Sequence, residues 1–394
     1  MTNFFKDIKQ NQKIIPLPFP VYFWVIVSLI FFGLADSFYL SISHYRVYTD
    51  IGYRSFCAIT RAINCDTVSQ SPYSILLGLP VPIWGVIGYT FLLLLIFFAW
   101  NKQADKKRIW SLLFFITLIY SGYSIILAFI STFYIKSYCI LCIVTYVVNL
   151  LLLYYIWLMR RRFDQTGLIQ GLKQDLSYLW VIKKQTIPVL TSFLFGIIAL
   201  QIFLPAYWHM TSAPISGNIP TGITEKGHPW IGAKNPKLII TEFTDYQCFQ
   251  CKKMHLYLRE LITKYPEKIR LVHRHFPMDS RFNPLVTERF HIGSGKMALM
   301  AEYAKISGKF WEMNDLLYQL SDKKFINTRK IGAKIGLNYQ GLSLSSKDPV
   351  LRYALKHDIA IGIRLGITGT PGFVINGKVY LGQIPPEIIK KAIE

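Results

Sequence analysis

The chain has 394 residues, 52% of them hydrophobic and 17% charged, a balance that excludes an ordinary soluble protein and leaves room for two domains. Its formal charge of +22 is spread along the chain and accompanied by no nucleic-acid motif. Nucleic-acid binding is therefore set aside in favour of attraction to anionic lipid headgroups.

Crossing a bilayer needs roughly 20 apolar residues. Five segments are long enough, at about Val21–Leu40, Pro82–Trp100, Ile109–Phe133, Ile140–Met159 and Ile187–Tyr207. The first is too long for a cleaved leader and reads as a retained helix. Asp36 falls near its outer end, where it reaches headgroup water or accepts a proton. Basic residues in short loops mark the cytoplasmic side. Lys6, Lys9 and Lys13 precede the first helix, and Lys102, Lys106, Lys107 and Arg108 join the second to the third. Arg160, Arg161 and Arg162 follow the fourth, and Lys183 and Lys184 precede the fifth. Arg46, Arg54 and Arg61 soften this contrast without reversing it. The loop Ser43–Val81 and everything after Tyr207 then lie outside.

Met210–Gly232 is rich in Pro, Gly, Ser and Thr and reads as a linker. A polar α/β domain follows. Leu238–Phe243 is a buried strand, a helix runs from near Cys248 to about Tyr265, and Ile269–His275 is a second strand. Residues from about Asn283 to Ile363 read as helical, with breaks near Gly308, Gly336 and Ser343–Pro349. Phe373–Asn376 and Val379–Leu381 form a hairpin about Asn376-Gly377. Pro386–Ile393 closes with a helix. The expected domains are a helical bundle at 1–162, a connector with the fifth helix and linker at 163–232, and the α/β domain at 233–394.

The six cysteines carry the chemistry. They fall in three pairs, Cys57 with Cys65, Cys139-Ile-Leu-Cys142 and Cys248-Phe-Gln-Cys251. The topology puts all of them on the outer side or at its membrane boundary, where disulfides persist. Such pairs hand electrons on by thiolate attack on a neighbouring disulfide. Cys248 opens a helix, whose positive end favours a thiolate, and Cys251 lies one turn deeper to resolve the mixed disulfide. Cys139 and Cys142 stand likewise at the start of the fourth helix, with Cys139 expected at the aqueous edge and Cys142 deeper. A zinc-binding CxxC or a static disulfide is the competing reading for Cys248 and Cys251, but a zinc ribbon wants a second CxxC nearby.

Tyr246-Gln-Cys-Phe-Gln-Cys-Lys, Arg274-His-Phe-Pro277 and Gly369-Thr-Pro-Gly-Phe-Val-Ile-Asn-Gly377 resemble the DsbA-like branch of the thioredoxin fold, which carries a helical insertion. That resemblance covers residues 225–394 and implies a functional cis Pro371. Strongly oxidising members place a histidine between the cysteines, where this chain has Phe249-Gln250.

Residues 20–160 resemble the vitamin K epoxide reductase (VKOR) family. The carriers are Cys57-(seven)-Cys65-Asp66, Ser71-Pro72-Tyr73, Gly78-Leu-Pro80, Ile83-Trp84-Gly85 and Cys139-Ile-Leu-Cys-Ile-Val-Thr-Tyr146-Val-Val-Asn149. The resemblance implies a four-helix core plus a fifth helix leading to the thioredoxin-like domain. It implies Cys139 and Cys142 as the quinone-side disulfide, Cys57 and Cys65 as the relay, and Trp84, Tyr146 and Asn149 as part of a quinone pocket, for ubiquinone or menaquinone. Animal members carry asparagine where Val81 stands, so quinone rather than an epoxide is the expected acceptor.

The expected function is a quinone-dependent disulfide-forming oxidoreductase of a bacterial inner membrane, with its thioredoxin-like domain on the periplasmic side. Reduced cysteine-containing secreted proteins would be its substrates. An isomerase or reductase whose redox state is set by the membrane part, and a non-catalytic membrane-anchored binding module, are the alternatives.

Overall fold

The computed structural model describes residues 17–60, 62–99, 109–163, 166–210, 219–320 and 326–394. Lys6, Lys9, Lys13, Arg61, Lys102, Lys106, Lys107 and Arg108, invoked for orientation, lie outside the described residues, as do 211–218 of the expected linker. The chain divides into two compact units, Met1–Thr49 with Tyr53–Tyr207, and Asp50–Gly52 with Trp208–Glu394.

The first unit holds α1 (Phe19–Thr49), the short α2 (Cys65–Ser69), a two-stranded ribbon of β1 (Ile75–Leu76) and β2 (Leu79–Pro80), then α3 (Val81–Ala99), α4 (Trp110–Ile130), α5 (Ile140–Phe163), α6 (Leu168–Val181) and α7 (Lys183–Phe203). A π-helical turn, Ser131–Ile135, extends α4. Among the described residues, α1, α3, α4 with its extension, α5 and α7 are long and apolar enough to cross a membrane.

Several features differ from expectation: α5 runs on to Phe163, so Arg160–Arg162 lie in its last turn, and α7 already begins at Lys183. Helix α1 continues past Leu40 to Thr49 because Ser41, Ser43 and His44 end the apolar run without breaking the helical hydrogen-bond ladder. Asp36 is therefore mid-helix rather than near an end. Helix α7 stops at Phe203, ahead of the expected Tyr207. Leu204 is extended (φ −70°, ψ 117°), as a residue before proline prefers, and Pro205 follows. The stretch between α5 and α7 is not a plain connector but contains α6.

Asp175 on α6 explains where that helix packs. Its carboxylate accepts from the backbone amides of Ile109 (2.7 Å), Ser111 (2.9 Å) and Leu112 (3.0 Å). Those are orphan donors at the start of α4, whose preceding residue offers no side-chain cap. A cap borrowed from a distant helix satisfies them. Arg160 on α5 adds a bond from Nε to Ser111 Oγ at 3.0 Å.

Small residues let the bundle close up. A Cβ on Gly33 of α1 would lie 2.4 Å from the Tyr89 ring of α3. One on Gly88 would lie 2.7 Å from the Tyr120 hydroxyl of α4.

The second unit is a six-stranded sheet flanked by helices. Its strands are β3 (Thr221–Ile223), β4 (Pro229–Gly232), β5 (Leu238–Thr244), β6 (Ile269–His275), β7 (Gly372–Ile375) and β8 (Lys378–Leu381), in the order β3-β4-β6-β5-β7-β8. Among the described strands of this sheet, only β5 and β6 pair in parallel, joined by α8 (Phe249–Lys264), as a parallel pair requires a crossover. Helices α9 (Ser294–Ile306), α10 (Phe310–Gln319), α11 (Thr328–Ile335), α12 (Tyr339–Leu344) and α13 (Pro349–Arg364) stand between β6 and β7, and α14 (Pro386–Ile393) ends the chain.

The expected break at Gly336 is a left-handed helix cap (φ +67°). Asn376-Gly377 turns the β7–β8 hairpin with both residues at positive φ. Two expectations fail. Residues 221–232 are not linker but the two strands that complete one edge of the sheet, with Trp230 paired to Val272. They are too short to show a strand period. The helical region starts at Ser294, not Asn283, because Asp279 and Asn283 bond their own loop: Asn283 Nδ2 donates to Pro277 O at 3.1 Å, and Arg281 N to Asp279 Oδ1 at 3.1 Å.

Candidate functional site

Cys57 and Cys65 are joined in a disulfide. Cys65 opens α2, capped by Asn64, whose Oδ1 accepts from Thr67 N at 3.1 Å. Asp66 accepts from Ser55 N at 3.2 Å and folds the Cys57 segment back on the helix.

The segment before Cys65 is stitched to the one before Cys139. Asn64 N donates to Tyr138 O at 2.9 Å and Tyr138 N to Ala62 O at 2.8 Å. Leu40, Cys57, Cys65 and Cys139 form one buried cluster, with Cys142 packed against it. Cys139 is thus not at an aqueous edge. It is 3% exposed, covered by the disulfide loop. Cys139 and Cys142 are free thiols, and the Cys142 amide donates to Cys139 Sγ at 3.2 Å.

Cys142 also lines a cavity of about 530 Å³. Trp84, Tyr146 and Asn149 line the same cavity, so the residues expected at a pocket are brought together. Trp84 Nε1 is tied to Leu76 O at 2.8 Å. The Asn149 amide is already engaged: its Oδ1 accepts from Tyr89 OH at 2.7 Å and its Nδ2 donates to Ser124 Oγ at 2.9 Å. Asn149 therefore shapes the wall through two neighbours.

The sequence reading missed further lining residues, among them His44, Tyr89 and Thr145. His44 is buried, with Nδ1 2.9 Å from Tyr207 OH and Nε2 3.3 Å from Ser74 Oγ. Thr145 donates to Asp36 Oδ2 at 2.5 Å, which places the acid one helical turn from Cys142. A polar residue within an apolar helix was the available signal, and only Asp36 was read that way.

In the second unit, Cys248 caps α8 and its Sγ accepts from the Cys251 amide at 3.2 Å. The Cys248 thiol faces Thr370 O at 3.5 Å, beside the cis Thr370–Pro371 bond. Burial works against ionising Cys248, as does Asp245. The hydrogen bonds from Cys251 and the charge of His291 outweigh them, and the thiol is held below its ordinary value. Burial, reinforced by the neighbouring Cys248, holds Cys251 well above its own. The surroundings therefore favour ionisation of Cys248 over Cys251.

Behind the pair, Glu242 is fully buried and accepts from His273 Nδ1 at 2.7 Å; His273 Nε2 lies 3.2 Å from His275 Nδ1, and His275 Nε2 lies 3.3 Å from Glu302. Nothing in the local sequence announced this line of groups, since the strands and helices that supply it are far apart in the chain.

Residues 24–157 match the vitamin K epoxide reductase family, and residues 224–394 match the thioredoxin family. The chain joins a VKOR-family domain to a thioredoxin domain. With its long apolar helices, it is a membrane protein.

The thioredoxin domain is similar to solved structures. Alpha-DsbA1 of Wolbachia pipientis is 20% identical, with 43% of this chain and 92% of that one covered and a TM-score of 0.35. A thioredoxin-like oxidoreductase from Silicibacter pomeroyi is 22% identical, with 42% and 90% covered and a TM-score of 0.34. Among curated proteins, the Na(+)/H(+) antiporter NhaA 3 of Salinispora tropica is 24% identical over 163 residues, 41% of this chain and 24% of that protein. NhaA 1 of Mycobacterium sp. (strain KMS) is 25% identical over 166 residues, 41% and 26%. The chain spans about a quarter of the length of these relatives.

Proposed function

We propose that the chain is a membrane thiol–disulfide oxidoreductase that forms disulfides in secreted proteins and discharges the electrons to a membrane quinone. The observation that carries this reading is the cluster in which the Cys57–Cys65 disulfide packs on Cys139, with Cys142 opening onto the cavity.

A substrate thiolate attacks the oxidised Cys248–Cys251 pair, and a second substrate thiol releases the mixed disulfide. The substrate leaves with a disulfide and the pair is left as a dithiol. Cys248, the more readily ionised thiol, then attacks the Cys57–Cys65 disulfide, and Cys251 resolves it. The reduced relay passes its two electrons to an oxidised Cys139–Cys142 pair by the same exchange, S–S for S–S, the two protons lost by the donor dithiol being taken up by the newly reduced pair within each exchange.

The cavity suits a flat apolar ring, since aromatic Trp84 and Tyr146 share its wall with the Cys142 thiol. A quinone bound there supplies an acceptor for two electrons and two protons. Tyr146 and Trp84 would hold the ring, Tyr89 and Ser124 fix Asn149 in the wall, and the Asp36–Thr145 pair stands near Cys142 to take a proton. We place the protein in a bacterial inner membrane with the thioredoxin domain on the periplasmic face. The cysteines then meet an oxidising compartment, and Arg160–Arg162 end α5 on the cytoplasmic side.

The test is oxidation of a reduced, cysteine-containing peptide by the purified chain in quinone-containing membranes. Wild type is compared with a Cys248→Ala, Cys251→Ala double variant. Oxidation that needs both the quinone and the soluble pair is expected. Quinone reduction that continues with a separate thiol donor while the peptide stays reduced would show that the thioredoxin domain is not the entry point.

A further inference from the structure

The two residues between Cys248 and Cys251 are Phe249 and Gln250, neither of them ionisable. A histidine nonetheless reaches this end of the domain from the loop ahead of α9. His291 Nδ1 lies 3.0 Å from Asp245 Oδ2, a bond that spans 46 residues of sequence. Asp245 is buried at the end of β5, and its carbonyl accepts from Cys248 N at 3.1 Å. Next to His291, Ile292 O accepts from Gln247 Nε2 at 3.3 Å. The loop therefore grips the chain at Asp245 and Gln247, directly ahead of the nucleophile.

The grip is costly to the backbone. His291 has φ +39°, a left-handed value that a side chain with a Cβ seldom adopts. Gly293, two residues on, has φ +114°, and its amide is held by Asp279 Oδ2 at 2.8 Å. The Phe290 ring stacks on the imidazole, 3.9 Å between centroids. A strained residue held by several contacts is a common sign of a functional constraint.

We propose that His291 supplies from a distant loop the cation that strongly oxidising DsbA-like proteins place between the cysteines, forming a thiolate–imidazolium pair with Cys248 that Asp245 orients. An imidazole whose Nδ1 proton is given to a carboxylate keeps Nε2 for a second proton. The proton leaving Cys248 Sγ is thereby accommodated with no change in net charge or oxidation state. The thiolate is stabilised in the reduced pair alone, which makes the disulfide a stronger oxidant. Of the other ionisable groups, Asp245 opposes ionisation of both thiols, Tyr318 lies within electrostatic reach of Cys251, and Asp279 with its partner Arg281 holds the same loop at Gly293.

The inference rests on Cys248 as the exchanging thiol. It is tested on the reduced full-length chain by brief iodoacetamide pulses from pH 4 to 9, with Cys248 alkylation located by peptide mass spectrometry. His291→Gln is expected to raise the pH midpoint by about one pH unit or more, and to slow alkylation at pH 6 roughly tenfold. His291→Lys, which keeps a cation, is expected to recover most of the loss. An unchanged profile in His291→Gln overturns the proposal. So does an equal upward shift in both variants, which would mean that loop packing matters and charge does not. Neither outcome depends on quinone or peptide substrate. A failure of the proposed function, seen as peptide oxidation without Cys248, is read separately.

Discussion

The backbone amide of Cys142 donates to the Sγ of Cys139 at 3.2 Å. The same bond, at the same length, joins Cys251 to Cys248 in the other domain. A CxxC at a helix start forces this geometry, because the first sulfur takes the place of a capping oxygen. Each pair therefore has one sulfur under a hydrogen bond that favours its thiolate, and a second sulfur one turn inward. For the membrane pair, the inward sulfur is the one in the cavity wall.

That asymmetry predicts the effect of Cys142→Ala. Quinone reduction, followed by absorbance in detergent or nanodiscs, is expected to fall to background. Cys248 should still form a mixed disulfide with a substrate peptide. Persistent quinone reduction would show that the assigned order of the cysteines is wrong.

Gly33→Ala tests the packing that shapes the cavity. The new methyl meets the Tyr89 ring, whose hydroxyl is committed to Asn149. The ring cannot yield without breaking that bond. A loss of about 1–3 kcal/mol is expected, as for other overpacked sites. It is read as a lower melting midpoint of the detergent-solubilised protein, together with weaker quinone binding. A variant as stable as wild type would mean the helices separate at little cost.

Asp175→Ala removes the acceptor for three amides at the start of α4. A lost cap and unpaired buried donors together cost about 2–4 kcal/mol. Asp175→Asn, which keeps one carbonyl oxygen, should lose less. Equal stability of the alanine variant by thermal melting would argue that water caps this helix.

Acid sensitivity of the thioredoxin domain follows from Glu302 and His275. Burial alone would raise the Glu302 carboxyl, but the hydrogen bond and charge of His275, then Lys305, prevail and hold it at about 2, against 4.5 ordinarily. Its stabilisation is complete above about pH 4.5 and is lost as the pH falls through about 2. Burial lowers His275 below its ordinary 6.5, so protonation of the unfolded chain weighs against the fold as pH drops below that value. Calorimetry of the full chain should show Glu302→Gln melting earlier at pH 7, with the gap to wild type closing below pH 4.5. Parallel curves at every pH would remove Glu302 from the account.

The pairs of cysteines, the spanning segments and the hairpin at Asn376-Gly377 were legible because each depends on neighbours in sequence. Apolar length marks a membrane helix, and spacing marks a CxxC. What was not legible depends on contacts between remote segments. Asp175 looks like any helix-surface acid until α4 is laid beside it. His291 lies in a stretch with no periodic signal. The strands at 221–232 look like linker because an edge of a few residues is defined by its partner, β6, and not by its own pattern. The burial of Cys139 likewise came from a loop whose fold no local rule specifies.

The backbone bonds that tie Asn64 to Tyr138 and Tyr138 to Ala62 have a kinetic meaning. They hold Cys65 and Cys139 in one cluster, so the proposed exchange between those two pairs is an intramolecular, first-order event. Diluting the protein a thousandfold would leave that internal step at the same rate, and only the encounter with an outside thiol would become rarer.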